Sequence, residues 1–566
     1  MHMAKSRSIL VLLAAVTLPA GFLPAADRME DQSAAVDALF AEYQQPGSPG
    51  LAVGVYYQGQ AVKTAGYGRA HLEHDIAISP TTVFHVASVS KQFVAFSAAL
   101  LEAEGKLDLD SDVRENLPWV PDFGQEISPR QLIYHTSGLR DQWTLFVLGG
   151  LEMDSRLRQR QVVSMMKRQQ ALNFAPGSDY AYSNAGYTVL AELVGAVSGQ
   201  SLREFTAARI FEPLGMINTV FYDDVTEVLP NRAQSYEKNE DGTWHRSPLN
   251  FDNVGATSLH TSVDDLLAWA GNFLHPTVGS GQALTRMHES GQLADGTHLN
   301  YGFALQKREI AGHGAISHSG SDAGFRSIIA VFPDDDFAVT ILANSPTNLL
   351  KPLEEIAAIY LNADYQPGAW KKSLPAAINP DEALVAKLRG QYIHDNRPVL
   401  VLEVDDGALT YRALDDEAKP VVFRDDGSFD FGDESRLYGT NYRAVRNARG
   451  EITGIAMRGG SPVNGQHFVY RKIERAQPPL ADLEALAGNY RSQELDVTYT
   501  LSVKGDELII ESLWTAPVTL HATVADKFEG EWPMHEVIVQ RGADGRPSAL
   551  YISSERARRV RLDRID

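Results

Sequence analysis

The sequence predicts an α/β chain of the α+β type, in which an antiparallel sheet is flanked by helices and an all-β C-terminal region of barrel-like units follows. Three observations carry this. Strand patterns occur near residue 50 and return beyond residue 300, with helical periodicity between them. Beyond residue 380 short strands and turn signals replace the helical periodicity. Leu388-Arg389-Gly390-Gln391-Tyr392 recurs 98 residues later as Leu486-Ala487-Gly488-Asn489-Tyr490, and Gly407 recurs as Gly505 at the same spacing.

The chain, 566 residues long, is too large for one ordinary core. Residues 1–26 resemble a secretory signal: Lys5 and Arg7 precede the apolar run Ile9–Leu18, and small residues end at Ala25-Ala26. That run is too short for a comfortable membrane span, so a periplasmic or secreted protein without stable membrane insertion is expected. Residues 31–44 then read as a helix through Val36, Leu39, Phe40 and Tyr43. Leu51–Tyr57 and Ala61–Tyr67 flank Gln58-Gly59-Gln60 and read as a hairpin. Thr82-Val83-Phe84 is extended, and Ser90–Glu104 is a helix with Phe93, Phe96, Ala99, Leu100 and Leu101 on its apolar face.

Helical segments continue through Pro129–Tyr134, Arg156–Gln169, Asn184–Ser198 and Ser262–Phe273. The strands Tyr301–Leu305, Ser317–Ser319, Phe325–Phe332 and Phe337–Ala343 follow, then a helix over Leu350–Tyr360. The first domain is thus expected over residues 30–365, with a linker over 366–380 and two β-barrel units, lipocalin-like in pattern, over 381–475 and 480–566.

Composition narrows the chemistry. The chain has no cysteine, which excludes disulfides, thiolate metal sites and a cysteine nucleophile. A net charge of -21 argues against nucleic acid as a partner. A serine three residues before a lysine places hydroxyl and amine one helical turn apart, a known way to make a nucleophile. Chance supplies about two such pairs in a chain of this length. Three occur: Ser88/Lys91, Ser164/Lys167 and Ser235/Lys238. Only the first stands at the start of an apolar helix, where N-terminal amides favour developing negative charge. Ser164 lies in an Arg/Gln-rich helix and Ser235 in a polar stretch that reads as a loop.

Two constellations follow Ser88: Tyr182-Ser183-Asn184 and His318-Ser319-Gly320-Ser321. Tyr360-Leu361-Asn362 also matches the first pattern, whereas His318 is the only one of sixteen histidines in a His-x-Gly. The ordered set Ser88-x-x-Lys91, Tyr182-x-Asn184 and His318-x-Gly320 resembles the penicillin-recognising serine hydrolases, over about residues 30–365. Tyr134–Leu139, Pro213–Met216 and Gly255–Ser258 resemble that family's framework segments. The resemblance implies a β-lactamase-like fold, with Ser88 as nucleophile, Lys91 and Tyr182 as base and proton shuttle, and Asn184 orienting lysine and substrate. It also implies that His318 completes the polar wall and that the amides of Ser88 and Ser321 form the oxyanion hole. Gly320 is expected to let substrate lie against the strand.

Where β-lactamases and carboxypeptidases of that family usually carry a lysine, this chain has His318, a departure shared with the D-aminopeptidase and family VIII-type esterase branches. The D-aminopeptidases also carry two C-terminal β-barrels. A secreted serine hydrolase with D-aminopeptidase-like peptidase or amidase activity is therefore expected, acting on a small peptide, amide or ester. A carboxylesterase, a weak β-lactamase and a non-catalytic penicillin-binding-like receptor are the alternatives. No cofactor or metal is expected, and homo-oligomerisation is left open. An α/β-hydrolase is excluded by the absence of a Gly-x-Ser-x-Gly elbow.

Overall fold

The computed structural model describes residues 25–45, 47–279, 281–362, 375–395, 397–413, 417–432, 440–459, 463 and 467–566. The signal-like segment, apart from Ala25 and Ala26, and the linker up to residue 374 lie outside the described residues.

The first domain is built on one antiparallel sheet. Helix α1 (Ala25–Leu39) precedes strands β1 (Leu51–Tyr57) and β2 (Gln60–Tyr67). Helices α2 (Lys91–Ala103), α3 (Asn184–Ser198) and α4 (Val263–Leu274) occupy the middle of the chain. Strands β3 (Ser290–Gln292), β4 (His298–Gly302), β5 (Gln306–Ile310), β6 (His313–Asp322), β7 (Phe325–Phe332) and β8 (Phe337–Ala343) follow, then helix α5 (Leu350–Leu361). The sheet order is β3-β4-β5-β6-β7-β8-β1-β2. β1 pairs with β8 from Leu51↔Ala343 to Tyr57↔Phe337, so the two ends of the domain close one sheet, as expected.

Alternation along β1 divides the core into two layers. Leu51, Val53 and Val55 pack with Val36 and Phe40 on one side and Leu353 and Ile356 of α5 on the same side. Ala52 faces the other layer, among Phe93, Phe96, Leu190 and Trp269. Gly54 lets α4 approach: a Cβ there would stand 2.8 Å from Thr340 Oγ1 and 3.0 Å from Val263 Cγ2.

Most elements fall where periodicity places them; Asn184–Ser198, Phe325–Phe332 and Phe337–Ala343 match to the residue. Two differ. The first helix begins at Ala25 and gives way to a 3₁₀ turn over Ala41–Gln44 rather than running to residue 44. β6 extends over ten residues where only Ser317–Ser319 was expected, because its serines and glycines look like turn residues until β7 supplies backbone partners from Ile316 to Asp322.

Among the described residues, the C-terminal region is all-β apart from two short helices. Its first unit is a ten-stranded sheet with Ala377–Ile378 and Lys419–Pro420 at its two ends. Among the described residues that sheet does not close. The second unit is a closed eight-stranded barrel from Gly488–Ser492 to Ala557–Arg564, sealed by Tyr490↔Arg564 and Arg491↔Asp563. The repeat has a structural meaning: in each unit a short helix turns through a glycine into the first strand. Tyr392 donates its hydroxyl to the Leu388 carbonyl at 2.6 Å, and Tyr490 donates to Leu486 at 2.8 Å. The intervening Gly390 and Gly488 take φ 139° and 151°, which side chains disfavour.

The closed barrel is locked onto the first domain. Arg140, itself 2% exposed, donates to Glu494 Oε2 at 2.5 Å and to the carbonyls of Arg558 and Arg559 at 2.9 and 3.0 Å. Arg558 N donates to Asn173 Oδ1 at 2.8 Å, and the Tyr499 hydroxyl reaches the Leu148 carbonyl. No helix among the described residues is long and apolar enough to cross a membrane. Removing one partner of the buried Arg140–Glu494 pair leaves the other charge uncompensated. Arg140→Ala is expected to cost roughly 3–5 kcal/mol, read from urea unfolding followed by barrel tryptophan fluorescence; an unchanged midpoint would contradict this.

Candidate active site

Ser88 sits in a 3₁₀ turn, Ala87–Ser90, that runs straight into α2 at Lys91. The strand Phe84–His85, paired with Leu259–Thr261, feeds the turn. Ala87 is held at φ 47°, backbone strain concentrated one residue before the serine. Behind the turn, Phe93 and Phe96 pack on Trp269 at ring separations of 4.6 and 5.2 Å, and this seats α2 and carries Lys91 to full burial.

The Lys91 amine lies within hydrogen-bond distance of three oxygens: Ser88 Oγ at 3.0 Å, Asn184 Oδ1 at 2.8 Å and the Ala256 carbonyl at 2.6 Å. Burial brings its pKa down to about 7; Asp322 and Asp141 oppose that shift and Arg556 adds to it. A neutral amine has two N–H donors and one lone pair. Asn184 and Ala256 take the donors, so the lone pair faces the Ser88 hydroxyl. Asn184 is fixed in turn by Asp141 Oδ2, which accepts its backbone N–H at 2.7 Å and its Nδ2 at 2.8 Å. Asp141 also caps the helix Gln142–Leu148, accepting from Trp143 N at 3.0 Å.

Tyr182 lies beneath the amine, with Lys91 Nζ 4.9 Å from its ring centre. Its hydroxyl is buried and makes no full hydrogen bond among the described residues. Burial raises its pKa, and the adjacent Ser88 hydroxyl and Arg556 guanidinium pull it partly back. The ring is held 4.2 Å from that of His135, centre to centre.

His318 is buried at the end of a directed chain of hydrogen bonds. Ser183 N donates to His135 Nδ1 at 3.1 Å, leaving His135 Nε2 to donate to the Tyr301 hydroxyl at 3.1 Å. Tyr301 then donates to His318 Nε2 at 3.3 Å, and His318 Nδ1 donates to the Ser319 carbonyl at 2.7 Å. Every step uses a neutral ring. Burial, with Lys91 nearby, lowers the His318 pKa to about 3, and burial also holds His135 well below its usual value. His318 therefore presents no charge at neutral pH.

Gly320 lines the cleft, and the structure gives it a packing reason for being glycine. A Cβ would stand 2.2 Å from the Val86 carbonyl and 3.0 Å from Ala87 Cβ, so the glycine lets β6 press against the turn that carries Ser88. The β5 partner of β6 stops at Gln306↔Ser317, and His318–Asp322 present one backbone edge to the cleft, with Ser321 exposed on it.

The set thus converges on one cleft of about 820 Å³, lined by Ser88, Tyr182, Asn184, His318, Gly320 and Ser321, with Lys91 beneath the serine. The other two serine–lysine pairs stay apart from it. Ser164 Oγ accepts from Arg168 at 3.2 Å, and Ser235, in irregular chain just before the short hairpin strand Tyr236–Lys238, donates to the Ser247 carbonyl. Sequence reasoning did not find Asp141, His135, Tyr301 or Arg556 as site residues. Asp141 carried an N-cap signal ahead of Gln142-Trp143, and His135 lay in a framework segment. Arg556 carried none. It stands at the tip of the barrel hairpin between Pro547–Ser554 and Ala557–Arg564, and its guanidinium lies 5.0 Å from the Tyr182 ring centre.

Comparison with known proteins bears on the family and the fold. A family model described as Beta-lactamase matches residues 36–362, more than half of the chain. The chain belongs to the beta-lactamase family. Among curated relatives, a D-aminopeptidase of Gluconobacter oxydans is 29% identical over 338 residues, covering 59% of this chain and 62% of its own length. A D-aminopeptidase of Brucella canis is 30% identical over 363 residues, covering 62% of this chain and 67% of its own. The chain thus spans somewhat under two thirds of the first relative. The octameric penicillin-binding protein homologue of Pyrococcus abyssi shares the fold, with a TM-score of 0.54 at 19% identity over 86% of this chain and 98% of its own. D-amino acid amidase of Ochrobactrum anthropi SV3 shares it over 59% of this chain and all of its own, with a TM-score of 0.50 at 20% identity.

The beta-lactamase domain therefore carries its lysine near the point of half-protonation. Since the free amine forms as pH rises, modification of Ser88 by a fluorophosphonate should accelerate through about pH 7 and level off above it. His318, neutral above about pH 3, should add no inflexion across that range. A labelling rate that falls, or stays flat, between about pH 6 and 8 would contradict Lys91 as the base.

Proposed function

We propose that this protein is an exported serine hydrolase of D-aminopeptidase type, cleaving a short peptide or amide through an acyl-enzyme on Ser88. The observation that carries the reading is the Lys91 amine, fully buried, with two donors taken and its third position 3.0 Å from Ser88 Oγ. Lys91 accepts the Ser88 proton as Oγ attacks the substrate carbonyl carbon. The amides of Ser88 and Ser321 hold the oxyanion, where one donor is worth on the order of 10²–10³ in rate. Tyr182 passes a proton, drawn from Lys91, to the leaving nitrogen. The amine departs and Ser88 keeps the acyl group. Water, deprotonated by the same pair, then releases the acid and restores the serine.

The D-aminopeptidase relatives at 29% and 30% identity support the peptidase or amidase class. The neutral His318 supports it too, since a beta-lactamase-type carboxylate anchor would need a charge on that strand. The signal-like residues 1–26 support export. Ester substrates share the acylation step, and a stoichiometric burst without turnover would mark a penicillin-binding receptor instead.

Labelling with a fluorophosphonate, followed by digestion and mass spectrometry, should place the adduct on Ser88. Ser88→Ala should abolish it, and Lys91→Ala should slow it by about 10²–10⁴ with melting unchanged. An adduct on Ser164 or Ser235 would overturn the assignment. D-aminoacyl amides should be turned over in preference to L-aminoacyl amides, short acyl esters and a chromogenic cephalosporin.

A further inference from the structure

We propose that Arg556, delivered by the closed barrel, holds a carboxylate on the leaving-group side of the scissile bond, so that the site prefers free short peptides to their C-terminal amides. This rests on the acyl-transfer reading above and names the substrate class for it.

Two arginines line the cleft, Arg246 and Arg556. Arg246 faces Glu73 at 3.8 Å, donates to Gln234 at 3.2 Å and belongs to the short outer hairpin. The Arg556 guanidinium, among the described residues, has no carboxylate or carbonyl partner; its one close contact is the face of Tyr182 at 5.0 Å. The inner carboxylates of the cleft are already engaged. Asp141 takes four N–H donors, two from Asn184 and one each from Trp143 and Thr144. Asp322 accepts from His85 at 2.8 Å and Thr257 at 2.5 Å. A half-buried cation unpaired among the described residues, in a site whose inner acids are satisfied, is incomplete without an anion.

The hairpin tip that carries the cation is also fixed. The Arg556 carbonyl accepts from Asp141 N at 3.1 Å and from Asn173 Nδ2 at 2.9 Å, pinning the hairpin tip to the same segment that orients Asn184. Arg558 N and the Arg140 guanidinium fix the next residues. Because Arg556 stacks on Tyr182, the group assigned to protonating the leaving nitrogen, it stands on the leaving-group side of Ser88. In a dipeptide the leaving amine bears its own carboxylate within that reach. The guanidinium would accept it as a planar, bidentate partner, which neutral His318 does not offer. Glu555 beside Arg556, with Asp154 and Glu237, adds acid at the cleft rim. An anion reaching Arg556 gains more from the guanidinium than it loses against the rim, so the preference is moderate.

The test uses the full chain and a competition that does not require turnover. The fluorophosphonate labelling rate of Ser88 is measured with D-alanylglycine or D-alanylglycinamide as protectant, in wild type, Arg556→Ala and Arg556→Lys. Wild type should be protected about ten- to a hundredfold more tightly by the free dipeptide. Arg556→Ala should bring the two protectants within about threefold of each other, and Arg556→Lys should recover part of the difference. Equal protection in wild type, or a preference that survives Arg556→Ala, overturns the proposal while leaving Ser88 as nucleophile. A loss in Arg556→Ala that is uniform for both compounds, with the pH limb of labelling moved upward, also overturns it: Arg556 would then act only by tuning Lys91. Absence of any adduct on Ser88 in wild type instead removes the acyl-transfer reading. If Arg556→Ala fails to fold, Arg556→Lys and Arg556→Gln carry the same comparison.

Discussion

Everything in the site depends on removing one lysine from water. Left solvated, Lys91 would hold its proton at neutral pH and could not act as a base. Buried behind α2, with Asn184 and Ala256 taking its two N–H groups, it loses most of that preference and offers its lone pair to Ser88. The fold supplies the cost of that burial through the Phe93–Phe96–Trp269 cluster that seats the helix and through the Asp141 carboxylate that orients Asn184. Two acids, Asp322 and Asp141, keep the depression moderate. Without them the amine would be a weaker proton acceptor, and with closer acids it would stay charged.

A second constraint is neutrality along the opposite wall. The chain from Ser183 through His135, Tyr301 and His318 to Ser319 is directed at each step, so each ring has one tautomer and no charge. An additional cation on β6 would raise the electrostatic cost of protonating Lys91 and would push its pKa lower still. The only unpaired cation the cleft receives among the described residues arrives from another domain, Arg556 at the barrel tip, and it sits against Tyr182 rather than on the strand. The buried Arg140–Glu494 pair and the Asn173 contacts make that placement rigid, which ties barrel stability to the geometry of the cleft.

Much of this was legible in the sequence. Periodicity located α3, β7 and β8 to the residue, because long amphipathic or apolar runs dominate local preference. It underestimated β6, since the pairing that makes Ser319, Gly320 and Ser321 a strand comes from β7 rather than from those residues. The barrel repeat was visible as Gly390-Gln391-Tyr392 and Gly488-Asn489-Tyr490, and its cause is physical: a glycine at φ near 145° and a tyrosine returning its hydroxyl to the preceding helix. Closure of the second barrel but not of the described first sheet was not readable, because closure depends on which end strands meet.

The sequence by itself determined the neighbourhood of Ser88. Ser88 and Lys91 are three residues apart at the start of an apolar helix, a relation local geometry enforces whatever the rest of the chain does. It also determined that His318 would stand on the facing strand without a lysine's fixed charge. Only the tertiary structure decided that Lys91 is dry, that Asp141 and not another acid orients Asn184, that His135 and Tyr301 keep His318 neutral, and that Arg556 enters the cleft. Those outcomes require residues hundreds of positions apart to meet, and desolvation and hydrogen-bond direction are properties of the meeting, not of any one stretch of chain.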